Sequence, residues 1–263
     1  DGNFPRAGGP QVREVKLNTE TWDMTVPFRI TGHVFTGVHV LVASITEDGC
    51  TGRGEAAGVY YLGETPESML AQAESIRQAL EEGADRRRLQ SLLPAGGARN
   101  AIDCALWDLE AKQSGRRIWE LIGIEPRAVT TFETVGLGTP EAMAETARTL
   151  QTPNIKVKLD GNDPVRRVRA VRDARPDAQI IVDANQGWSF AQLRTVAPAL
   201  ADLGVAMIEQ PLPRGGDAEL EGCTWPVPLC ADESCLDTRE FEQAARRYQM
   251  INIKLDKAGG RIT

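Results

Sequence analysis

The stretch NIKVKLDGNDPVRRVRAVRDARPDAQIIVD, residues 154–183, has the pattern of a strand, a helix and a second strand. Its two apolar runs are short enough for strands, and the Asp163-Pro164 pair between them is typical of a helix start. Comparable runs recur at intervals of roughly 22 to 26 residues, which is the period of parallel βα units. The six runs are residues 131–135, 155–159, 180–183, 205–209, 229–232 and 251–254.

Six consecutive units favour a (β/α) barrel over an open sheet, because no glycine-rich nucleotide turn follows the first strand. The preceding residues have another order, with strands over 12–28 and 38–45 and then two helices. One helix is expected from Thr65-Pro66 to about Glu82, and the other around 102–109. The first part is therefore predicted to be an α+β unit. Residues 1–11 are rich in glycine and proline, so we expect a flexible tail there.

The composition excludes several classes of protein. The 263 residues carry 30 Lys and Arg against 37 Asp and Glu, a net charge of −7, so nucleic acid and membranes are not expected partners. No apolar run approaches the ~18 residues of a membrane span. The five cysteines form no C-x-x-C pair, which argues against a disulfide framework or a zinc site and favours a cytoplasmic location. Both histidines come early, which leaves the second half without a Ser-His or Cys-His catalytic pair.

Charged residues mark the ends of five successive strand runs. Lys156 and Lys158 lie on one face of their strand, because strand side chains alternate. The C-terminal ends of parallel barrel strands form the active face, so we expect these side chains at one mouth. Taken singly, each has an ordinary explanation as a surface lysine or a helix N-cap, but their common phase argues against coincidence. The next four runs end in Asp183, Glu209, Asp232 and Lys254. Counted from Lys158, the successive intervals between these residues are 25, 26, 23 and 22.

Three carboxylates at one mouth repel one another unless a cation lies among them. An all-oxygen ligand set favours a hard ion, most simply Mg²⁺. A lysine is a poor base at its usual pKa of ~10.4, but a neighbouring ammonium and a metal ion lower that pKa towards ~7–8. The pattern therefore predicts removal of a proton beside a metal-bound carboxylate, with an enediolate as the product of that step. Asn185 and Glu233 are candidates for orienting these groups through hydrogen bonds.

At this point the motifs resemble those of a known family. The enolase superfamily, in its muconate-lactonizing subgroup, has sequences similar to five segments of the chain, and its dipeptide epimerases of the L-Ala-D/L-Glu type are the most similar. RNAIDCALWDLEAK, residues 99–112, resembles the end of that family's capping domain. The five segments are KVKLD (156–160), IVDANQGW (181–188), MIEQPLP (207–213), CADES (230–234) and NIKLDKAGG (252–260).

The resemblance implies an α/β protein with a capping domain over 12–125 and a TIM-like (β/α)7β barrel over 126–263. About six of the barrel strands are present in this sequence, so we expect the native chain to continue beyond Thr263. It also implies a Mg²⁺-dependent epimerase of dipeptides, a small-molecule substrate and a possible homo-oligomer. Asp183, Glu209 and Asp232 become the metal ligands.

The resemblance also implies a role for each of the three lysines and for two loops of the cap. Lys158 and Lys254 become the two acid/base groups on opposite faces of the α-carbon, with electrostatic help from Lys156, and the enediolate is stabilised by the metal. Two loops of the cap, near 27–36 and 56–64, are expected to close over the substrate.

The substrate side chain is predicted less sharply. Family members that act on L-Ala-Glu carry an arginine in the first cap loop, and Phe35 falls at that position here. Arg29 could replace the arginine, and Thr134 is a third candidate for contact with the substrate. An apolar side chain is plausible on this basis, while acidic and basic ones stay open. The D-x-D motif that holds the dipeptide ammonium group in this family belongs to an eighth strand, which lies beyond this sequence.

Two alternatives share part of the pattern. An N-acyl amino acid racemase, an o-succinylbenzoate synthase or a cycloisomerase of the same subgroup would use the same metal and lysines. A non-catalytic binding protein is an alternative of another class, and exchange of a substrate α-proton with solvent would distinguish it from an enzyme.

Overall fold

The computed structural model describes residues 13–260, which divide into two compact units. Within these residues, the first unit combines 13–22 with 38–127 and the segment from Lys254 onwards. The second unit combines 23–37 with 128–253. The tail predicted over 1–11 lies outside the described residues.

The first unit has a three-stranded sheet followed by helices. The sheet has the strands β1 (Glu14–Ile30), β2 (His33–Glu47) and β3 (Cys50–Ala56), in the order β1-β2-β3, and β2 pairs with β3 in antiparallel fashion. The part of β1 and β2 within 23–37 is grouped with the second unit. The helices are α1 (Pro66–Ser75), α2 (Arg77–Glu81), α3 (Arg86–Leu92), α4 (Gly97–Ser114), α5 (Ile118–Leu121) and, much later in the chain, α10 (Leu255–Ala258).

Helix α4 lies directly against β3 because two glycines of the strand leave room for it. A Cβ at Gly52 would stand 2.1 Å from the carbonyl oxygen of Ala105, and one at Gly54 would stand 2.1 Å from that of Ala101. The two glycines are two residues apart, so they lie on the same face of the strand.

The first cap loop differs from the expectation for 27–36. The structure continues β1 to Ile30 and begins β2 at His33, so only Thr31 and Gly32 form the turn of a long hairpin. Gly32 has φ +71°, a value that glycine adopts without strain and that a two-residue turn commonly needs. The second expected loop, 56–64, holds one short 3₁₀ helix over Tyr60–Leu62.

The second unit contains six parallel strands in sequence order. They are β4 (Glu133–Val135), β5 (Asn154–Lys158), β6 (Gln179–Asp183), β7 (Val205–Glu209), β8 (Leu229–Ala231) and β9 (Met250–Ile251). Between them lie α6 (Pro140–Thr149), α7 (Pro164–Ala174), α8 (Phe190–Asp202) and α9 (Phe241–Arg247). The predicted fold class, an α+β unit followed by successive parallel βα units, is confirmed.

The alternation of β5 gives it one apolar and one charged face. Ile155, Val157 and Leu159 are fully buried in the core of the second unit, together with residues of α6 and α7 such as Met143 and Val168. The lysines between them therefore point to the other side of the sheet. Thr139 and Ser189 cap α6 and α8 with their hydroxyls, as the sequence predicts.

The last strand is shorter than predicted. Of the predicted run 251–254, only Ile251 belongs to a strand, which is Met250–Ile251. The backbone N–H of Asn252 still donates to the carbonyl of Ala231. Lys254 is not part of the strand. It stands in extended conformation, φ −122° and ψ 132°, immediately before α10, because the chain there turns into a helix.

Candidate active site

The register of the parallel sheet brings charged residues of three strands side by side. Lys158 at the end of β5 is paired with Asp183 of β6, and Asp183 is paired with Glu209 of β7. All three side chains are buried: Asp183 is 1% exposed, Glu209 2% and Lys158 9%. Buried charges of this kind are rare unless they are paired, so the carboxyl end of the sheet is a specialised polar site.

The lysines of β5 interleave with the carboxylates. Lys156 Nζ lies 2.8 Å from Asp183 Oδ2 and 2.7 Å from Glu209 Oε2. Lys158 Nζ lies 2.7 Å from the same Asp183 oxygen and 2.9 Å from Asn185 Oδ1. The prediction that both lysines share one face of the strand agrees with these contacts.

The neighbours of Lys156 and Asp183 shift the pKa values of both groups. Burial lowers the pKa of Lys156, but the charges of Asp183 and Glu209 and the hydrogen bonds with them outweigh it, so the pKa of Lys156 is raised. Burial also opposes ionisation of Asp183, yet Lys156 and Lys158 keep the pKa of its carboxyl below the usual value. In this arrangement Lys156 remains an ammonium and Asp183 a carboxylate.

The loop after β6 orients these groups. The backbone N–H of Asn185 donates to Asp183 Oδ1 at 2.9 Å, while its side chain accepts from Lys158. Asn185 has φ +42° and Gln186 has φ +68°, left-handed values that are uncommon for residues other than glycine. The predicted orienting role of Asn185 is consistent with its two contacts and stays a prediction.

Asp232 follows β8, one strand further along the sheet. Its side chain is 1% exposed, and so is that of Glu233. The backbone carbonyl of Glu233 accepts a hydrogen bond from Arg214 Nη1 at 2.7 Å. Both acidic residues are therefore enclosed at the carboxyl end of the strand, where the sequence predicts Asp232 as a ligand.

Lys254 belongs to the first unit, together with α10. The turn that ends α10 is held by α4, because Arg99 donates to the carbonyls of Gly259 at 2.8 Å and Ala258 at 2.5 Å. Arg99 lies in the motif of residues 99–112, but nothing in its spacing predicts this contact. The role of Lys254 as second acid/base group stays a prediction.

The candidate substrate-binding residues have varied surroundings. Phe35 stacks edge-on to His33, with ring centroids 4.2 Å apart, and lies 6.4 Å from Phe28. Arg29 is exposed, and its backbone carbonyl accepts from the N–H of Leu137. The third candidate, Thr134, is exposed on β4 opposite Lys156 in the register. The structure assigns none of these three to a substrate.

Two polar residues of the site were not predicted from the sequence. Asn252 Nδ2 donates to Glu209 Oε1 at 2.9 Å, and so occupies the second oxygen of that carboxylate. Gln210 contacts the backbone of the Asp232 loop. The available signal was weak: each is a polar amide beside an apolar run, a pattern that is also typical of an ordinary loop.

The donor chemistry fits a hard cation. Asp183 and Glu209 converge on the ammonium nitrogen of Lys156, so a positive charge lies between these two buried carboxylates. Among residues 13–260, no three His, Cys, Asp or Glu side chains form a ready-made metal site. Magnesium ligation by Asp183, Glu209 and Asp232 therefore remains a proposal.

Comparison with known proteins decides the family. Residues 12–123 match the mandelate racemase / muconate lactonizing enzyme N-terminal domain, and residues 140–262 match the enolase C-terminal domain-like family. The L-Ala-D/L-Glu epimerase of Escherichia coli (strain K12) is 46% identical over 253 residues, 95% of this chain and 79% of that protein. The chain belongs to the mandelate racemase/muconate lactonizing enzyme family of the enolase superfamily.

Two further relatives in this family indicate the range of activities. The N-acetyl-D-glutamate racemase of a Pseudoalteromonas species is 47% identical over 173 residues, 65% of this chain and 55% of that protein. The structure of a dipeptide epimerase from Methylococcus capsulatus, complexed with Mg and L-Arg-D-Lys, is 30% identical. It matches with a TM-score of 0.86 over 95% of this chain and 77% of that one.

These relatives confirm two predictions from the sequence, the family and the class of enzyme, an isomerase of the epimerase and racemase type. No helix within residues 13–260 is both long and apolar enough to cross a lipid bilayer.

Proposed function

We propose that this protein is a dipeptide epimerase that inverts the α-carbon of the C-terminal residue by proton transfer between two lysines. The observation that carries the proposal is the buried cluster of Lys156, Lys158, Asp183 and Glu209 at the strand ends. The 46% identity to the E. coli epimerase supports the same reaction.

The proton transfer uses one lysine on each face of the substrate. Lys158, as a neutral amine, takes the α-proton, and the electron pair of the broken C–H bond passes to the carboxylate as an enediolate. Lys254, as an ammonium, then gives a proton to the opposite face, so the configuration inverts and the two lysines exchange protonation states. Asn185 and Asp183 hold the Lys158 nitrogen by hydrogen bonds.

Lys156 has a different role. The carboxylates of Asp183 and Glu209 raise its pKa, so it stays charged and is a poor base at neutral pH. Its fixed positive charge favours the negative charge that develops on the substrate carboxylate. This division of roles between two lysines on one strand face is the one that the resemblance to the family implies.

Magnesium would be held by Asp183, Glu209 and Asp232. When bound, it would supply positive charge to the substrate carboxylate and so acidify the neighbouring C–H bond. Carboxylate oxygens of this kind are the ligands that Mg²⁺ prefers in proteins. The family supports this assignment, because the Methylococcus capsulatus epimerase structure is a complex with Mg.

Two interpretations of the substrate side chain lead to different dipeptides. The names of the E. coli and Pseudoalteromonas relatives both refer to a glutamate residue, which favours an acidic side chain. Phe35, at the position of the arginine expected for an acidic side chain, favours an apolar residue instead. We propose L-Ala-L-Glu as the first substrate to test, since the E. coli epimerase named for this dipeptide is 46% identical to the chain.

Incubation with Mg²⁺ in D₂O, followed by mass spectrometry, tests the proposal. The substrates would be L-Ala-L-Glu, L-Ala-L-Leu and N-acetyl-L-glutamate, the last because the Pseudoalteromonas racemase makes an N-acyl substrate a specific second candidate. We expect deuterium at the α-carbon of the C-terminal residue of a dipeptide, and none with the Asp232→Asn variant. Exchange in N-acetyl-L-glutamate alone would assign a racemase instead. No exchange in any of them by folded, metal-loaded protein would refute a proton-transfer function.

A further inference from the structure

Gln210, the residue after Glu209, is completely buried, and the proposed proton transfer does not use it. Its Oε1 accepts two hydrogen bonds from backbone N–H groups, that of Asp232 at 2.9 Å and that of Ser234 at 3.0 Å. A side chain at the end of β7 thus holds the backbone at the end of β8. Glu209 and Asp232, two proposed metal ligands, are connected through this one carboxamide.

The other end of the carboxamide is fixed as well. Gln210 Nε2 lies 2.8 Å from the carbonyl oxygen of Leu212, 2.8 Å from Ser234 Oγ and 3.2 Å from the hydroxyl of Tyr248. The Tyr248 hydroxyl in turn donates to Asp217 Oδ2 at 2.8 Å. Because acceptors surround Nε2 and donors face Oε1, the amide has one orientation only, with its oxygen towards Asp232.

The backbone of Gln210 is bound just as tightly. Its N–H donates to the carbonyl of Cys230 at 2.8 Å, and its carbonyl accepts from the N–H of Gln186 at 2.8 Å. Gln210 has φ +33°, an unfavourable value for a residue with a side chain. Such a conformation persists only where its surroundings fix it, and it is often found at functional sites. Gln210 therefore connects the loops after β6, β7 and β8.

We propose that Gln210 is a positioning residue for the metal site: its carboxamide fixes the backbone of Asp232 relative to Glu209, and so sets the spacing of these two carboxylates. The inference rests on the proposed metal-dependent function. The residue does not touch the substrate in this scheme and acts only through Asp232.

Magnesium binding to the Gln210→Met variant tests the proposal directly. Methionine has a similar shape but accepts no backbone hydrogen bonds of this strength, so the Asp232 loop loses its anchor. We expect the dissociation constant for Mg²⁺, measured by titration calorimetry without substrate, to rise about 10- to 100-fold, the usual effect of losing a partner that orients a ligand. A folded Gln210→Met protein with an affinity within twofold of the wild type would overturn the proposal.

The matched control is Gln249→Met. Gln249 Oε1 accepts from the backbone N–H of Leu229 at 3.0 Å, which is the same kind of bond at the opposite end of β8. We expect this variant to lose stability but to keep the wild-type affinity for Mg²⁺. An equal loss of affinity in the two variants would mean that Gln210 serves only the stability of the strand.

A second variant of Gln210 and a measurement without metal test the same proposal. If Gln210→Met does not fold, Gln210→Asn keeps a polar amide one methylene shorter, and the same rise in dissociation constant is expected. Hydrogen exchange of residues 229–236 in metal-free protein gives a readout that needs no metal. We expect faster exchange there in Gln210→Met than in Gln249→Met, and equal exchange would overturn the proposal. Absence of Mg²⁺ binding by the wild type would instead refute the metal site of the proposed function.

Discussion

The ammonium group of Lys156 is a positive charge between the two buried carboxylates of Asp183 and Glu209. Its nitrogen lies within 2.8 Å of both Asp183 and Glu209. Removal of one member of a buried ion pair leaves an uncompensated charge, which is strongly destabilising. We therefore expect that loss of the Lys156 ammonium leaves Asp183 and Glu209 with a charge that a bound cation can compensate.

The Lys156→Met variant should therefore have a stability that depends on Mg²⁺. In EDTA we expect its free energy of unfolding to fall by about 3 kcal/mol relative to the wild type. Saturating Mg²⁺ should restore most of this loss, because the metal ion replaces the missing charge. Urea unfolding in the two buffers measures both values. An equal deficit with and without Mg²⁺ would contradict the role given to Lys156.

Asp160, in the loop after β5, has a carboxyl whose pKa depends on its hydrogen-bond partners. Burial raises the pKa of its carboxyl, but hydrogen bonds from the Asn162 backbone and from Arg167 outweigh this, and the pKa is lowered. A lowered pKa in the folded state stabilises the protein above the unfolded-state value of ~3.9, and the contribution is lost as the pH falls through the folded-state value.

The Asp160→Asn variant should therefore have a lower free energy of unfolding than the wild type only at pH values at which the carboxylate is ionised. We expect a loss of about 0.5–1 kcal/mol in the free energy of unfolding at pH 7, because solvent screens this partly exposed carboxylate, and a smaller difference at pH 3. Urea unfolding at the two pH values checks this. A deficit that is equal at both would show that shape, and not charge, makes Asp160 important.

At the scale of elements, the close approach of α4 to β3 is the clearest constraint. A Cβ at Gly52 would lie 2.1 Å from a backbone oxygen and 2.5 Å from the backbone nitrogen of Leu109. Neither atom can move without shifting the helix. The Gly52→Ala variant should lose about 3 kcal/mol or more of unfolding free energy.

Gly49→Ala is the control for this prediction. Gly49 has φ +76°, but no atom lies within 4 Å of the position that a Cβ would take there, so only the backbone conformation is penalised. We expect a loss of about 1 kcal/mol. Thermal unfolding of both variants compares them, and a Gly52→Ala loss no larger than that of Gly49→Ala would argue against tight packing of α4 on β3.

Much of the element pattern could be predicted from the sequence. Thr65, Thr139 and Ser189 each accept the backbone hydrogen bond that their position before a helix predicts. The predicted helix from Pro66 to about Glu82 is instead broken at Ile76, where φ −114° and ψ 7° separate α1 from α2. Propensity alone could not show this, because the residues on both sides favour a helix.

Across the whole molecule, the phase of charged residues along the chain indicated which side chains lie side by side better than any single motif did. Lys158, Asp183 and Glu209 come side by side because the strands are parallel and in register. Side-chain hydrogen bonds across strands, such as those of Gln210 and Asn252, depend on three-dimensional distances that spacing does not contain. Such contacts could not be predicted from one sequence.

In the proposed mechanism, Lys158 and Lys254 act on opposite faces of one α-carbon. Exchange of the α-proton in D₂O by the Lys158→Met and Lys254→Met variants tests this arrangement, with both stereoisomers of the dipeptide that the wild type accepts. We expect neither variant to interconvert the two isomers. Each variant should still exchange the α-proton of one isomer, because it keeps one of the two lysines, and the isomer that exchanges should differ between the two variants. Exchange of both isomers by either variant, or unimpaired epimerisation, would contradict the two-base mechanism.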